Sequence, residues 1–295
     1  MNKILWAYTI YRRNRIYNSI NLLKKRGNLI LPNNFRLSFN KENRKDIKNL
    51  FAFGLYYGVE FSDKGGYWHY GNNIITTPNN IRFNIKYFNP VIFSETFLSD
   101  IHFSDFDLNN KIVVQAGGFI GDTALYYASR GAIIYSFEPE INLYNQALEN
   151  IKLNPELSKN IVMKNYAIGN HGEIDFPIDP NGIGGSSAYY LENKETIKVK
   201  SVSISSILEE FSIENPFLLD LDIKGKEFEV INDENIQKFE MIRIEYSTHI
   251  GNKLIGSRDD IIKRLREYGF NKIRIYKHRE GDYDLTVHGT IEARK

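Results

Sequence analysis

The chain has 295 residues, of which 42% are hydrophobic and 25% are charged. This composition is typical of a globular protein with one large domain, or with a domain and an extension. The absence of cysteine excludes disulfides, thiolate metal sites and a cysteine nucleophile, and it agrees with a cytoplasmic protein. The longest early apolar stretch, residues 4–10, is too short to span a bilayer, so no transmembrane segment is expected.

Positive charge is concentrated at the start of the chain. Residues 1–40 contain eight Lys and Arg residues and no acid, and because the whole chain carries +2, residues 41–295 carry −6. A basic segment of this kind can contact nucleic acid, anionic lipid or a phosphorylated sugar. The preferred interpretation is a solvated helix face that docks on the acidic remainder of the same chain.

Residues 1–26 have the spacing of a helix, and Gly27 and Pro32 follow as terminating signals. Its apolar residues recur every three to five positions: Ile4, Tyr8, Tyr11, Ile16, Ile20 and Leu23.

Residues 54–90 are dense in Tyr, Phe, Gly and Asn and predict a small β module, with strands at YYGVEF and IRFNIKYF. Trp68, His69 and Tyr70 lie between two turns of this module, where they could cover a substrate or form the core of a small sheet. A short helix over residues 91–99 comes next. We therefore predict an N-terminal extension, residues 1–104, and a main domain, residues 105–295.

The main domain opens with KIVVQAGGFIGDTALYYASRGAIIYSFEPE, residues 111–140. Two short apolar runs predict strands at residues 112–114 and 132–137. Between them lies a predicted helix at residues 123–129, with Asp122 as its cap and Gly131 after its last turn. Two parallel strands joined by a helix form a βαβ unit.

The turn of this unit has the composition of a ligand site. Gly117, Gly118 and Gly121 let the backbone approach a ligand closely at the positive end of the helix. Glu138, at the tip of the second strand, is placed to hold two ribose hydroxyls. We interpret the unit as a nucleoside-cofactor pocket; a glycine turn in some other α/β protein is the alternative.

Alternation of helices and strands continues to the end of the chain. One helix is predicted with Ile141, Tyr144, Leu148 and Ile151 on one face, ending at Asn154-Pro155. A capping box at Ser257 opens another, which Gly269 closes. A further helix is predicted at residues 203–211, and a flexible loop at residues 181–187. Strands are predicted at residues 161–168, 196–202, 217–222 and 241–246, and the second of these has the alternation of an edge strand. The last two strands, residues 272–277 and 283–291, are expected to form an antiparallel pair.

Three of the predicted strands end in acids, Glu138, Asp222 and Glu245. Ligands of open α/β sheets bind at the carboxyl ends of the strands, so we expect these acids at one edge.

The motifs of the main domain resemble those of FkbM-type S-adenosylmethionine-dependent methyltransferases. The resemblance lies in VVQAGGFIGDTALYYASRGAIIYSFEP and, in the same order, in ENIKLN, NYAIGN, LLDLDIKGKEFEVI and IRIEYS, covering roughly residues 111–270. It implies an α/β, Rossmann-like class I methyltransferase sheet, mostly parallel with the last strand antiparallel, and S-adenosyl-L-methionine as cofactor.

The resemblance also implies roles for single residues. The glycines would lie against the methionine end of the cofactor, Glu138 would bind the ribose, and Asp222 would sit beside the methyl-bearing sulfur. Residues 165–167 would approach the adenine. The implied cofactor-binding set is Gln115, Gly117, Gly118, Phe119, Ile120, Gly121, Asp122, Thr123, Glu138, Pro139, Asn165, Tyr166, Ala167 and Asp222.

The chain departs from the family pattern at two points. Gln115 stands where the family has an acid that helps to hold the cofactor's amino group. Lys224-Gly225-Lys226-Glu227 replaces the usual acid–glycine–small–acid run. The lysines could suit an anionic acceptor, or they could reflect chemistry that has been lost.

Methyl transfer to a hydroxyl requires alignment and a base near the acceptor. The candidate bases are Asp222, Glu245 and His249, with His69 more remote. No metal is predicted, because the spacing does not support a site held by Asp222 and Glu245. The expected partner is a small-molecule or glycan acceptor.

Two other functions are compatible with parts of the sequence. A nicotinamide oxidoreductase is suggested by residues 118–121 and by the pair Tyr190 and Lys194, although the glycine motif starts too late and the pair follows it too soon. A non-catalytic module that binds RNA or a partner through the basic N-terminus is the second alternative, without an identified nucleic-acid motif.

Overall fold

The computed structural model describes residues 14–99, 106–178, 195–277 and 284–295. The chain divides into two compact units, Met1–Leu98 and Ser99–Lys295. Within the described ranges, no helix is long and apolar enough to cross a membrane.

The first unit contains helices and short antiparallel strands. In chain order they are α1 (Arg15–Leu23), β1 (Gly27–Ile30), β2 (Arg36–Phe39), α2 (Arg44–Tyr56), β3 (His69–Gly71), β4 (Ile74–Thr76), β5 (Arg82–Asn84) and α3 (Pro90–Phe97). Strands β1 and β2 form a hairpin, and β3, β4 and β5 form a three-stranded antiparallel sheet. The predicted β module is therefore present, and α3 lies where a short helix was expected.

An aromatic cluster forms the core of the first unit. Trp68 is only 4% exposed, and its ring meets the rings of Phe53 and Phe97 edge-on at 5.2 and 5.8 Å. Phe83 and Phe93 pack edge-on at 4.9 Å. Trp68 thus belongs to the core, which is the second of the two roles that the sequence allowed.

Helix α2 was not predicted, and it corrects one predicted strand. Ile47, Leu50 and Phe51 recur at helical spacing and form its buried face. The helix continues through Tyr56, so YYGVEF does not begin as a strand, and Phe61 pairs with Trp68 through an isolated bridge.

The second unit contains the alternating part of the chain. Its elements are β6 (Ile112–Ala116), α4 (Asp122–Ser129), β7 (Ile133–Phe137), α5 (Ile141–Lys152), α6 (Pro155–Ser158), β8 (Ile161–Lys164), β9 (Ala167–Ile168), β10 (Gly172–Pro177), β11 (Thr196–Val202), α7 (Ile204–Glu210), β12 (Leu218–Leu221), α8 (Glu227–Val230), β13 (Met241–Ser247), β14 (His249–Ile250), β15 (Lys253–Leu254), α9 (Arg258–Glu267), β16 (Lys272–Tyr276) and β17 (His288–Arg294).

The main sheet has seven strands in the described part of the chain, in the order β16-β17-β13-β12-β6-β7-β8. Neighbours from β13 to β8 run parallel, whereas β17 is antiparallel to both β13 and β16. The mostly parallel sheet with a reversed last strand is thereby confirmed. The reversed strand begins at His288 rather than near residue 283 and runs to Arg294.

Two predicted strands take different places in the structure. The segment 161–168 is split, because β8 joins the main sheet and β9 pairs with β11 in a second, three-stranded sheet. Strand β11 is the central strand of that sheet, not an edge, because β10 covers its other side.

Helix α5 buries a different face from the predicted one. Leu143, Ala147 and Ile151 are buried, whereas Leu148 is 39% exposed. The apolar pattern of the helix is compatible with two faces that differ by a rotation of about one residue. The face with Ala147 is the buried one, because this small residue fits against Gly121. The loop 181–187 and the pair Tyr190 and Lys194 fall in residues 179–194, which the structure does not describe.

Candidate active site

The turn between β6 and α4 brings two strand ends into close contact. Gly117 has φ of +88°, and a Cβ there would lie 2.1 Å from the carbonyl oxygen of Asp222. A Cβ on Gly118 would lie 2.6 Å from both Ser136 Oγ and Met163 Cε. Side chains at these two positions would therefore collide with the neighbouring strands.

The helix after this turn begins differently from the prediction. The N-cap is Gly121, with φ of +78°, and Asp122 is the first helical residue. Asp122 is therefore not the cap, because the left-handed backbone that the cap position adopts favours glycine. The loop is held from behind, because Asn150 Nδ2 donates to the carbonyl of Ile120 at 2.9 Å. Thr123, like Asp122, is buried.

Glu138 connects the glycine loop to the end of β7. Its Oε2 accepts from the Phe119 backbone N–H at 2.8 Å, and its Oε1 accepts from the Glu140 N–H at 2.9 Å. Phe119 itself has φ of +46°. Glu138 is only 6% exposed although it follows the end of a strand, and burial raises the pKa of its carboxyl to about 8.

Residues 165–167 lie beside Glu138. Asn165 Nδ2 donates to the carbonyls of Glu138 and Pro139 at 2.8 and 2.9 Å, which fixes the backbone after the acid. Tyr166 stacks on Phe137 at 6.3 Å, and Ala167 is buried at the start of β9.

Gln115 is buried one residue before the end of β6. Its Oε1 accepts from Ser136 Oγ at 2.8 Å, and its Nε2 lies 3.5 Å from the carbonyl oxygen of Gly117. The amide therefore contacts the turn that the resemblance assigns to the cofactor, and a carboxylate here would set its oxygen against the Gly117 carbonyl.

The two predicted acids at the ends of β12 and β13 are brought together by a lysine. Lys224 Nζ lies 2.9 Å from Asp222 Oδ1 and 3.3 Å from Glu245 Oε1. Burial disfavours the charged ammonium and by itself would lower the pKa of Lys224. The negative charges of Asp222 and, next in size, Glu245 stabilise the ammonium more strongly, so the pKa of Lys224 is raised. The ammonium occupies the place between the carboxylates that a metal ion would need.

The loop that carries Lys224 is pinned by Glu227. Glu227 Oε2 accepts from the Gly225 N–H at 2.6 Å and its Oε1 from the Ile223 N–H at 3.3 Å. Glu227 is 1% exposed, and burial raises the pKa of its carboxyl to about 8. Lys226, the second lysine of the loop, pairs with Glu229.

The third candidate base, His249, is exposed in the β14–β15 hairpin. Its Nδ1 lies 2.9 Å from Thr248 Oγ1. The structure thus groups Asp222 with Glu245 and leaves His249 on a separate hairpin. That hairpin packs on the Lys224 loop, since a Cβ on Gly225 would meet Ile250 Cδ1 at 2.4 Å.

Sequence reasoning missed a buried ion pair in the middle of the sheet. Asp220 and Arg243 are opposite each other on β12 and β13, and Arg243 Nη1 lies 2.7 Å from Asp220 Oδ1. Tyr127 donates to Asp220 Oδ2 at 2.8 Å. Arg243 Nη2 is also 3.8 Å from Glu245 Oε2, which connects the pair to the edge of the sheet. The sequence did contain a signal for this ion pair, because each of the two predicted buried strands carries a charged residue in its interior.

The two raised carboxyl pKa values predict a pH dependence of stability. Unfolded glutamate titrates at its ordinary value of 4.5, so between about pH 4.5 and 8 the folded chain holds protons at Glu138 and Glu227 that the unfolded chain has released. The free energy of unfolding should therefore fall as the pH rises through this window, by up to about 1.4 kcal/mol per pH unit and group.

Denaturant unfolding of the ligand-free protein between pH 5 and 8 measures this slope. The slope should be shallower in Glu138→Gln and in Glu227→Gln, and shallowest in the double variant. A double variant as steep as the parent would contradict the assignment.

The strand order, with one reversed strand beside β13, is that of class I S-adenosylmethionine-dependent methyltransferases. The chain belongs to the FkbM methyltransferase family: the family described as Methyltransferase FkbM domain matches residues 115–272. S-adenosyl-L-methionine is accordingly the cofactor. Because the chain belongs to a methyltransferase family, the alternative of a nicotinamide oxidoreductase is wrong.

Solved structures offer only distant likenesses, and no curated protein matches the chain. A METTL16 MTase domain is 10% identical with a TM-score of 0.48, over 96% of this chain and 95% of that chain. Magnesium protoporphyrin IX methyltransferase from Synechocystis PCC 6803, with bound SAM, is 13% identical with a TM-score of 0.43, over 68% of this chain and 78% of that chain. The assignment rests on the family match and the strand order.

Proposed function

We propose that this methyltransferase O-methylates a hydroxyl group of a sugar or another small metabolite. The observation that supports the proposal is the group formed by Asp222, Lys224 and Glu245 at the carboxyl edge of β12 and β13. Asp222 follows β12 directly, and its backbone N–H donates to the Ala116 carbonyl at 3.0 Å, beside the glycine turn. Acid–base groups therefore adjoin the proposed cofactor turn.

The residues around the turn fit the cofactor that the family uses. The close approach at Gly117 and Gly118 leaves backbone rather than side chains facing a ligand, and the buried Glu138 carboxyl group retains lone pairs for hydroxyl donors. Glu138 would hold the ribose, and residues 165–167 would flank the adenine. When bound, S-adenosylmethionine supplies an activated methyl group on a sulfonium.

The three charged side chains can divide the remaining work. A carboxylate of Asp222 or Glu245 can accept the proton of the acceptor hydroxyl. Lys224 stays protonated, because the two acids raise its pKa, so it serves as a fixed cation near the oxygen that loses the proton. A sugar hydroxyl is a weak acid, and a nearby ammonium favours its deprotonation. His249 remains a predicted alternative base on the adjacent hairpin.

The test is to incubate the full chain with methyl-labelled S-adenosylmethionine and separate panels of neutral sugars, phosphorylated sugars, carboxylic acids, amines and RNA. We expect label in a base-stable ether on a sugar or another small hydroxyl compound. Label that enters only amines, base-labile esters or RNA would refute the proposal. Binding of S-adenosylhomocysteine, measured by calorimetry, shows separately whether the cofactor site is intact.

A Lys224→Met variant is expected to reduce kcat on the identified acceptor by about 100-fold, the typical effect of removing one group that stabilises developing negative charge. Affinity for S-adenosylhomocysteine should change much less, because Glu138 and the glycine turn are untouched. Steady-state kinetics and calorimetry measure the two effects.

Lys226→Met is the matched control, because Lys226 lies two positions further on the same loop and pairs with Glu229. It should retain most of the activity. Equal losses in both variants would show that the loop needs only general positive charge, and an unchanged kcat in Lys224→Met would remove Lys224 from the reaction.

A further inference from the structure

Helix α1 exposes its apolar side chains and buries polar ones. Ile16, Ile20 and Leu23 are 73%, 51% and 85% exposed, whereas Asn18 and Asn21 are 1% and 4% exposed. A helix on the surface of a globular unit normally has the opposite arrangement. The three exposed residues are four and three positions apart, so they form one continuous stripe.

Directional hydrogen bonds hold the helix in this orientation. Asn18 Nδ2 donates to the Ile30 carbonyl at 2.9 Å, and its Oδ1 accepts from the Ile30 N–H at 2.8 Å. Arg44 donates to the carbonyls of Leu22 and Lys24 at the end of the helix. Rotating the helix to bury its stripe would break these bonds, so the outward apolar face is built into the unit.

Positive charge adjoins the stripe. Lys24, Lys25 and Arg26 follow Leu23 directly and are exposed. Residues 1–40 contain eight Lys and Arg and no acid. We propose that α1 docks on an anionic lipid surface, with its aliphatic side chains among the acyl chains and the Lys and Arg residues at the phosphate headgroups.

The composition of the stripe favours lipid over other partners. Aliphatic side chains cannot stack on bases, which is how proteins bind single-stranded nucleic acid. A second copy of the chain would bring a segment without a single acid to these lysines, so like charges would meet. Tyr17, at 41% exposure, adds an aromatic ring of the kind that is enriched at the membrane interface.

The experiment is co-sedimentation of the full chain with vesicles of phosphatidylcholine alone or mixed equally with phosphatidylglycerol. We expect binding to the mixed vesicles that weakens as salt is added. The variant Ile16→Ser/Ile20→Ser/Leu23→Ser should lose about 100-fold or more in binding. The variant Lys24→Gln/Lys25→Gln/Arg26→Gln should lose about 100-fold on mixed vesicles. Circular dichroism checks that both variants fold, as expected for exposed positions.

A matched control replaces exposed apolar residues of the other unit, Leu148→Ser/Val287→Ser, and should bind vesicles like the parent. The proposal is overturned if the parent does not bind mixed vesicles, or if the serine variant of α1 binds as the parent does. It is also overturned if the parent ignores vesicles and the serine variant converts a dimer to a monomer, which assigns the stripe to a second copy. RNA binding that requires Lys24 to Arg26, without vesicle binding, would overturn it in favour of nucleic acid.

Discussion

An Arg243→Met variant is expected to lose about 3–5 kcal/mol of unfolding free energy, the cost of breaking a buried ion pair from one side. Arg243 is 2% exposed and lies 2.7 Å from Asp220 Oδ1. Without the guanidinium, the Asp220 carboxylate stays buried between β12 and β13 and keeps only its other partners, among them Tyr127. For a unit of this size the melting temperature should fall by about 10 °C.

Two further variants separate the charge effect from a packing effect. Asp220→Asn/Arg243→Met removes both charges and keeps an oxygen for the Tyr127 hydroxyl, so it should recover most of the loss. Arg264→Met is the matched control, since Arg264 lies at the same 2.7 Å from Glu267 but both side chains are exposed, and it should cost less than about 1 kcal/mol. Thermal and denaturant unfolding measure all three. A double variant as unstable as Arg243→Met would mean that packing, not charge, dominates.

A Glu138→Ala variant is expected to weaken S-adenosylhomocysteine binding by about 2–4 kcal/mol, or some thirty- to thousand-fold. At a pH above about 8, where the Glu138 carboxyl is ionised, the change removes two charge-assisted hydrogen bonds to the ribose, which water partly replaces. The structure adds a second expected effect. Because Glu138 accepts from the Phe119 and Glu140 N–H groups, its removal should also cost about 1–3 kcal/mol of stability.

Glu140→Ala controls for that instability. Glu140 is fully buried and caps α5 by accepting from the Leu143 N–H at 2.7 Å, so its loss should cost roughly 1 kcal/mol of stability. Cofactor binding should remain nearly normal in this variant. Calorimetry on both proteins, at a temperature where both are folded, compares the affinities. If Glu138→Ala binds S-adenosylhomocysteine as tightly as the parent, Glu138 is not the ribose anchor.

The features that the sequence predicted well are those that a short segment determines by itself. Gly117, Gly121 and Gly131 have positive φ, and the strands β6 and β7 lie where apolar runs placed them. The helix after Ser257 begins with the predicted cap, since the Ser257 side chain accepts from the Asp260 N–H. Backbone sterics and local hydrogen bonds determine such features, so the sequence of a short segment is sufficient to predict them.

Most of the features that the sequence did not predict depend on which strands become neighbours in the sheet. Lys224 reads as one basic residue in a loop until β12 and β13 pair and place Glu245 within its reach. Asp220 and Arg243 are 23 positions apart and meet only through the same register. Helix α2 is a different case, since the spacing of its buried apolar residues was readable in the sequence.

The near-contact between Gly117 and the Asp222 carbonyl has a consequence for protein engineering. Even a single methyl group at position 117 would have to push the end of β12 away, so mutational libraries should leave this position fixed. A search for new acceptors has more freedom in the exposed hairpin of residues 249–254, where Leu254 is 63% exposed. Diversity introduced there would alter the surroundings of Lys224 while the joint between the glycine turn and β12 stays intact.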